Sequence, residues 1–405
     1  MTSQQAPWHG PRTRRARWPV PLLTFSLAAT SLGGAGVAHA ATAPETPAPA
    51  AVGASTTCAD KVFAAMSESQ RIGQLFMGGI NAAKPDQKRI QVLRQYHVGS
   101  VFLAGRSSAG TKATKSLTDS LQAKADTVSG HRVGLLVSTD QEGGQVQVLS
   151  GPGFSTIPSA LVQGGWSTSA LSSAAAGWAK QLKSAGVNQN LAPVADVVPA
   201  SLGTNNAPIG RYGREYGHTP SVVTSHSLAF AAGFTQSKVL TTFKHFPGLG
   251  YVRGNTDTTA NVVDSVTTTK SASLAPFSAG IKAGAPFVMV SLAKYSRIDP
   301  KHQAVFSPTV INGLLRKTLG FKGVVISDDL GNAVAVKSVA VGNRAVDFLF
   351  AGGDMVLTVE PNLVPTMAKA VQTRMGQSSI FRTQVDQSIH RILAAKQQAG
   401  LLYCG

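Results

Sequence analysis

The sequence predicts a single (β/α)8 TIM barrel, and three observations carry that prediction. From Cys58 onward, eight short apolar runs alternate with longer stretches of helical period. Composition stays even over the same span, with no second linker to mark another domain. No G-x-G-x-x-G follows the first apolar run, which argues against the open, dinucleotide-binding α/β sheet. At 405 residues and 43% hydrophobic, the chain supports one large core.

The predicted strands are Gln74–Ile80, Gly99–Leu103, Val133–Ser138, Val187–Leu191, Leu240–Phe243, Phe287–Ser291, Gly323–Ser327 and Asp354–Thr358. Helical segments between them include Lys88–Tyr96, Lys115–Val128, Ala170–Ala185, Ser221–Gln236, Ala272–Ala283, Pro308–Leu319 and Val339–Phe350. A last amphipathic helix, Gln384–Gln398, brings the chain to Cys404.

The first forty residues read as a secretion signal. Arg12, Arg14, Arg15 and Arg17 precede the mostly apolar run Pro19–Thr30, and Ala38-His39-Ala40 supplies a small-residue cleavage site. That run is too short and too interrupted for a membrane span, so no integral span is expected. Arg14-Arg15 leaves the general and twin-arginine routes both open. Ala41–Thr57 reads as an Ala/Pro/Thr-rich flexible segment, and 58–405 as the folded domain. Export places the protein outside the cell or at its wall. There Cys58 and Cys404, the two cysteines of the chain, are expected to form one disulfide tying the first helix to the last. Closing so long a loop is worth about 4–5 kcal/mol on a chain-entropy estimate.

Lys and Arg number 37 against 19 Asp and Glu. Such a surface favours electrostatic association with anionic polymers, including those of a cell wall. Aromatic content is 6%, no basic run is interleaved with aromatics, and no nucleic-acid motif is present, which argues against a nucleic-acid partner.

The chemistry concentrates at predicted strand ends. Asp140 and Glu142 follow the third strand, Asp196 the fourth, Lys244 and His245 the fifth, and Asp328 and Asp329 the seventh. In a barrel these positions share the C-terminal mouth, where active sites of this fold are built. Two carboxylates facing one pocket suit glycoside hydrolysis, one as nucleophile or base and one as acid. Metal chemistry is the competing use of clustered Asp and His. Neither H-E-x-x-H nor H-x-x-E-H occurs, nor any tight ligand spacing, so no metal and no cofactor is expected.

Asp140-Gln141-Glu142-Gly143-Gly144, Ala192-Pro193-Val194-Ala195-Asp196, Lys244-His245-Phe246-Pro247-Gly248 and Ile326-Ser327-Asp328-Asp329-Leu330 together resemble glycoside hydrolase family 3. The likeness is to its single-domain bacterial β-N-acetylglucosaminidases and covers nearly all of the chain from Cys58. It implies a retaining exo-β-glycosidase that removes terminal β-N-acetylglucosamine from cell-wall or chitin-type oligosaccharides. Asp328 would be the nucleophile forming a covalent glycosyl-enzyme. Asp140, Lys244 and His245 would bind hydroxyls of the terminal sugar. Ile209–Gly217 resembles the family's I-G-x-R-S-F-G stretch with two extra residues, so that Arg214 matches the sugar-binding Arg better than Arg211. Asp196 would support the pocket, and Glu142 would hold the loop.

The resemblance breaks at the acid/base. The family supplies it as an Asp-x-His dyad on the loop after strand five, where this chain has Asn255-Thr256-Asp257. Two further family histidines are replaced by Leu249 and Leu292. Two readings follow. Asp257 is itself the acid/base, with a pKa raised by burial or by the Asp328 charge; or the acid is lost, and the protein binds wall sugar without cleaving it. A β-glucosidase or other β-hexosidase of the same family is the further alternative.

Overall fold

The computed structural model describes residues 57–404. The signal expected over 1–40, and the flexible segment apart from Thr57, lie outside them. Thr57 itself caps a helix, Cys58–Ala65: its hydroxyl accepts from Asp60 N while the Asp60 carboxylate accepts from Thr57 N, a reciprocal capping box.

Eight parallel strands form the barrel. They are β1 (Phe76–Asn81), β2 (Ser100–Ala104), β3 (Leu136–Thr139), β4 (Gln189–Asn190), β5 (Leu240–Phe246), β6 (Phe287–Val290), β7 (Val324–Ser327) and β8 (Val356–Thr358). From β1 to β7 each strand pairs with the next, and β8 pairs with β1. Between β7 and β8 the barrel closes by an isolated bridge, Ile326 to Met355 just before β8, with the Ser327 hydroxyl accepting from Leu357 N at 2.9 Å. Helices between successive strands cover the barrel, which is why the strands are buried along nearly their whole length.

All eight expected strands are present, with shifted limits. β4 shrinks to two residues, and β5 runs on through Lys244 and His245 to Phe246. The helix expected over Lys115–Val128 lies at Gly110–Gln122 instead. Its expected C-terminal part is a hairpin, Thr127–Val128 paired with His131–Arg132 around Ser129 (φ 47°) and Gly130 (φ 78°). The Ser-Gly turn ends the helical pattern there. Pro308–Leu319 is helical but π-wound over Thr309–Thr318. The last helix begins earlier than expected, at Ser379, and runs to Gln398.

Cys58 and Cys404 are joined in a disulfide across 346 residues of chain, with Cα atoms 5.8 Å apart. Beside it, Ala59 N donates to the Gln397 side chain at 3.1 Å, so the first and last helices are also hydrogen-bonded to each other. No described helix is long and apolar enough to cross a membrane.

Candidate active site

The first wall of the mouth is the hairpin after β3. In Gln141–Gly143, residues two apart share a face, so Asp140 and Glu142 project together. Gln141 turns the other way and exchanges two bonds with Leu149, at 2.7 and 3.0 Å, locking the hairpin base. Asn190 of β4 accepts from Gln141 N at 3.0 Å and donates to its carbonyl at 3.1 Å. Gly143 sits at φ 112°, and a Cβ there would lie 2.1 Å from the Pro158 carbonyl oxygen, so the motif has no room for a side chain.

The second wall comes from β4 and β5. Ala195 N donates to the Lys244 carbonyl at 2.6 Å, which carries Asp196 alongside His245. The β5–β6 register steps from Lys244 to Phe246 between adjacent partners Met289 and Val290, leaving His245 as the extra residue of a bulge. The bulge explains how consecutive residues of one strand both serve the mouth. Asp196, fully buried, accepts from His245 Nδ1 at 2.7 Å and from the amides of His245 and Leu249 at 3.2 and 2.7 Å.

Four charges interlock between these walls. The Lys244 ammonium contacts Asp140 Oδ1 at 2.5 Å and Glu142 Oε1 at 2.6 Å. Arg214 grips Glu142 with two nitrogens, Nε at 2.9 Å and Nη2 at 2.7 Å, and donates to the Pro208 carbonyl at 2.8 Å. Burial pushes the Glu142 carboxyl up, but Arg214 and Lys244 outweigh it and hold it at about 2. Burial likewise pulls the Lys244 ammonium down, and the charges of Asp140 and Glu142 reverse that to a net rise. Arg211, the other candidate of its segment, is exposed.

Asp257 lies across the mouth on the loop after β5. Gly250 begins that loop against Val197, whose carbonyl oxygen would be 1.8 Å from a Cβ. The loop then docks on the segment after β7, where Val334 N donates to the Asp257 carbonyl at 3.1 Å and Ala335 N to that of Thr256 at 3.0 Å. Asp257 is exposed, but the protein around its side chain displaces much of its water. That desolvation, followed by the negative charge of Asp328, raises its carboxyl to about 6; Arg214 and His245 oppose the rise.

Of the adjacent acids ending β7, Asp329 is consumed by backbone. It accepts from Gly331 N at 2.8 Å, Val359 N at 3.0 Å and Asn332 N at 3.0 Å, joining the turn to the end of β8. Asp328 accepts only from Asp329 N, at 2.8 Å, among the described residues, and its carboxylate is left at the mouth.

The structure therefore brings Asp140, Lys244 and Arg214 into one ion-pair cluster. It pairs His245 with Asp196, and sets Asp257 within the field of Asp328, Arg214 and His245. Leu249 and Leu292 are buried, and Tyr295 is buried with them, its hydroxyl donating to the Gly248 carbonyl at 2.8 Å. Two contributions exceed what the sequence signalled. Glu142 is a shared counter-ion and not only a loop support; its i, i+2 spacing from Asp140 was the available sign. Asn206, fully buried, accepts from Ile209 N and Gly210 N and donates to the carbonyls of Leu249 and Val252, linking the Arg214 segment to the start of the Asp257 loop. Among the described residues no three His, Cys, Asp or Glu side chains are grouped to hold a metal ion.

Comparison with known proteins bears on the family and the fold. The Glycosyl hydrolase family 3 N terminal domain profile matches residues 68–395. A beta-hexosaminidase of Stenotrophomonas maltophilia (strain K279a) is 34% identical over 285 residues, covering 68% of this chain and 81% of the relative. The crystal structure of a beta-N-acetylhexosaminidase from Beutenbergia cavernae DSM 12333 superposes with a TM-score of 0.80 at 48% identity, covering 82% of this chain and 99% of that one. A glycoside hydrolase family 3 beta-N-acetylglucosaminidase from Paenibacillus sp. str. FPU-7 gives 0.74 at 29% identity, over 83% of this chain and 63% of its own. With its barrel and its relatives in agreement, the chain belongs to glycosyl hydrolase family 3 and is a β-N-acetylhexosaminidase-like glycosidase.

Proposed function

We propose that the protein is an exported, retaining exo-β-N-acetylhexosaminidase that uses two aspartates. The observation that supports this most is Asp257, a carboxyl raised to about 6 in the field of Asp328 at the same mouth. A carboxylate placed to attack, beside a carboxyl whose hold on its proton is strengthened, is the division of labour that retaining hydrolysis needs.

In the first step an Asp328 oxygen attacks the anomeric carbon. The bond from that carbon to the leaving oxygen breaks, and Asp257 gives its proton to that oxygen. In the second, Asp257, now a carboxylate, takes a proton from water as the water oxygen attacks the same carbon and releases Asp328. Asp140, Lys244 and Arg214 hold hydroxyls of the terminal sugar, and His245, oriented by Asp196, joins them. The cationic surface would concentrate the enzyme on anionic wall polymers, and the leader sequence and the disulfide both suit an extracytoplasmic site.

The buried leucines at 249 and 292 favour one second reading, a β-glucosidase, because the imidazoles of the acetylglucosaminidase pattern are absent. Turnover of nitrophenyl β-N-acetylglucosaminide and β-glucoside decides between them. Asp328→Ala should lower turnover of the preferred sugar by roughly 10³-fold or more. Asp257→Ala should regain rate with added azide, giving a glycosyl azide of retained configuration. Turnover surviving Asp328→Ala, or an azide product of inverted configuration, would overturn the mechanism. No turnover of any β-glycoside would leave a sugar-binding protein.

A further inference from the structure

A second cavity, of about 580 Å³, opens beside the mouth without sharing a residue with the ion-pair cluster, Asp257 or Asp328. Its size is that of a small-molecule site. Lys294, Lys301 and His302 face it together with Asp347, Phe306 and Phe350. Among the described residues neither lysine ammonium has a side-chain hydrogen bond or an ion pair, whereas the other cations near the mouth, Lys244 and Arg214, are fully engaged. His302 is held through Nδ1 by Asp299 at 3.0 Å. Phe350, 47% exposed, supplies an apolar face that the core does not use.

The cavity is built from the supports of the Asp257 loop. Asn261 and Val262, where that loop returns, form one side of it, and Ala335 forms another. Ala335 is bonded both ways: its amide donates to Thr256 on the loop, and its carbonyl accepts from Gln303, another wall residue, at 2.9 Å. An occupant therefore presses on the two segments that set where Asp257 stands.

We propose that this cavity is an accessory site for a small anionic saccharide, carrying a carboxylate or a phosphate, whose occupancy is felt by the Asp257 loop. Two unpaired ammonium groups supply the anion contact, and the phenyl faces suit the apolar side of a sugar ring. Asp347 opposes the anion from the same cavity. Burial raises its carboxyl and His302 draws it down, for a net rise, so the acid facing the anion is one whose charged form the site disfavours.

The test is calorimetric titration of the full chain with glucuronate and with glucose 6-phosphate, using glucose as the neutral control. The proposal expects at least one anion to bind tenfold or more tightly than glucose. Lys294→Ala/Lys301→Ala should weaken it at least tenfold, Asp347→Asn should tighten it severalfold, and Asp328→Ala should leave it unchanged. The stronger of the two anions identifies the charged group. Failure of both to bind, or affinity unaffected by the double lysine variant, overturns the site whatever the catalytic reading. Coupling to the loop rests on Asp257 being the acid/base. It expects saturating anion to change kcat on an unactivated oligosaccharide at least twofold in the parent and not in the double lysine variant. Binding without that change overturns the coupling, and loss of the unliganded rate in the double variant would reassign the lysines to the catalytic mouth.

Discussion

The two halves of the mouth are built on opposite principles. On one side Asp140, Glu142, Lys244 and Arg214 satisfy one another, with Lys244 and Glu142 each 3% exposed at the side chain. On the other, Asp257 rests on a loop whose residues 257–261 are all exposed, and whose docking near Asp257 is by two backbone bonds to 334–335. The first half is a preformed grip, in which breaking any pair strands a buried charge. The second is a loosely held carboxyl that must meet a leaving group and then a water. Rigidity lies where the sugar is held, and freedom where the proton moves.

Substitutions should expose this contrast as a split between activity and stability. Asp257→Asn should lower kcat on an unactivated oligosaccharide by roughly 10²–10⁴-fold, the usual worth of a general acid. Nitrophenyl substrates, whose leaving group needs little protonation, should lose far less. Unfolding in urea near neutral pH should show the variant no less stable than the parent, because Asn removes a carboxylate whose charged form the fold disfavours. Equal loss on both substrate classes would remove Asp257 from the proton's path.

Glu142→Gln should do the reverse. It leaves Lys244 and Arg214 facing each other without their common counter-ion, and should cost about 3–5 kcal/mol in urea unfolding. KM should rise for activated and unactivated substrates alike, since both use the same sugar grip. A variant as stable as the parent would show that the cluster is hydrated in solution.

Asn206→Ala should fall between the two, at about 1–3 kcal/mol, because buried backbone groups on both of its sides lose their partner. It joins the Arg214 segment to the start of the Asp257 loop, so kcat and KM should change together. A change in one alone would mean that the halves are not mechanically connected there.

The reach of the sequence follows the same division. Every barrel strand was legible, because burial between helices leaves apolar runs at regular intervals, and so was the gathering of acids and bases at strand ends. Arg214 was separable from Arg211 by motif spacing. What stayed hidden depends on pairing across the fold: the Glu142–Arg214 clamp spans 72 positions, and Asn206 lies in a loop with no period to mark it. The hairpin at 127–132 was hidden for a local reason, its residues continuing a helical pattern until Ser129-Gly130 reverses the chain. By its place at a strand end Asp329 looks the equal of Asp328, and only the family resemblance singles out Asp328. The positions of the amides at 331, 332 and 359 supply the physical reason: they hold Asp329 and leave its neighbour free.

The smallest expected effect is a pH limb, and it examines Asp257 most directly. Its carboxyl is raised to about 6, first by desolvation and then by Asp328. A general acid acts in its protonated form, so kcat/KM on an unactivated oligosaccharide should fall as pH rises through about 6, by about tenfold per unit above it. The sign distinguishes this from a general base alone, which would lose activity as pH falls. The nitrophenyl substrate should show a shallower limb, because its first step does not wait for the proton. Carboxyl titration by NMR supplies a readout without turnover. In Asp328→Asn the opposing charge is gone, and the Asp257 midpoint should move down from about 6 towards the ordinary aspartate value of 3.8. Desolvation, the larger cause, remains in that variant, so the midpoint should stop short of 3.8. A full return would assign the shift to charge alone, and an unmoved midpoint would mean that Asp328 and Asp257 do not face the same space.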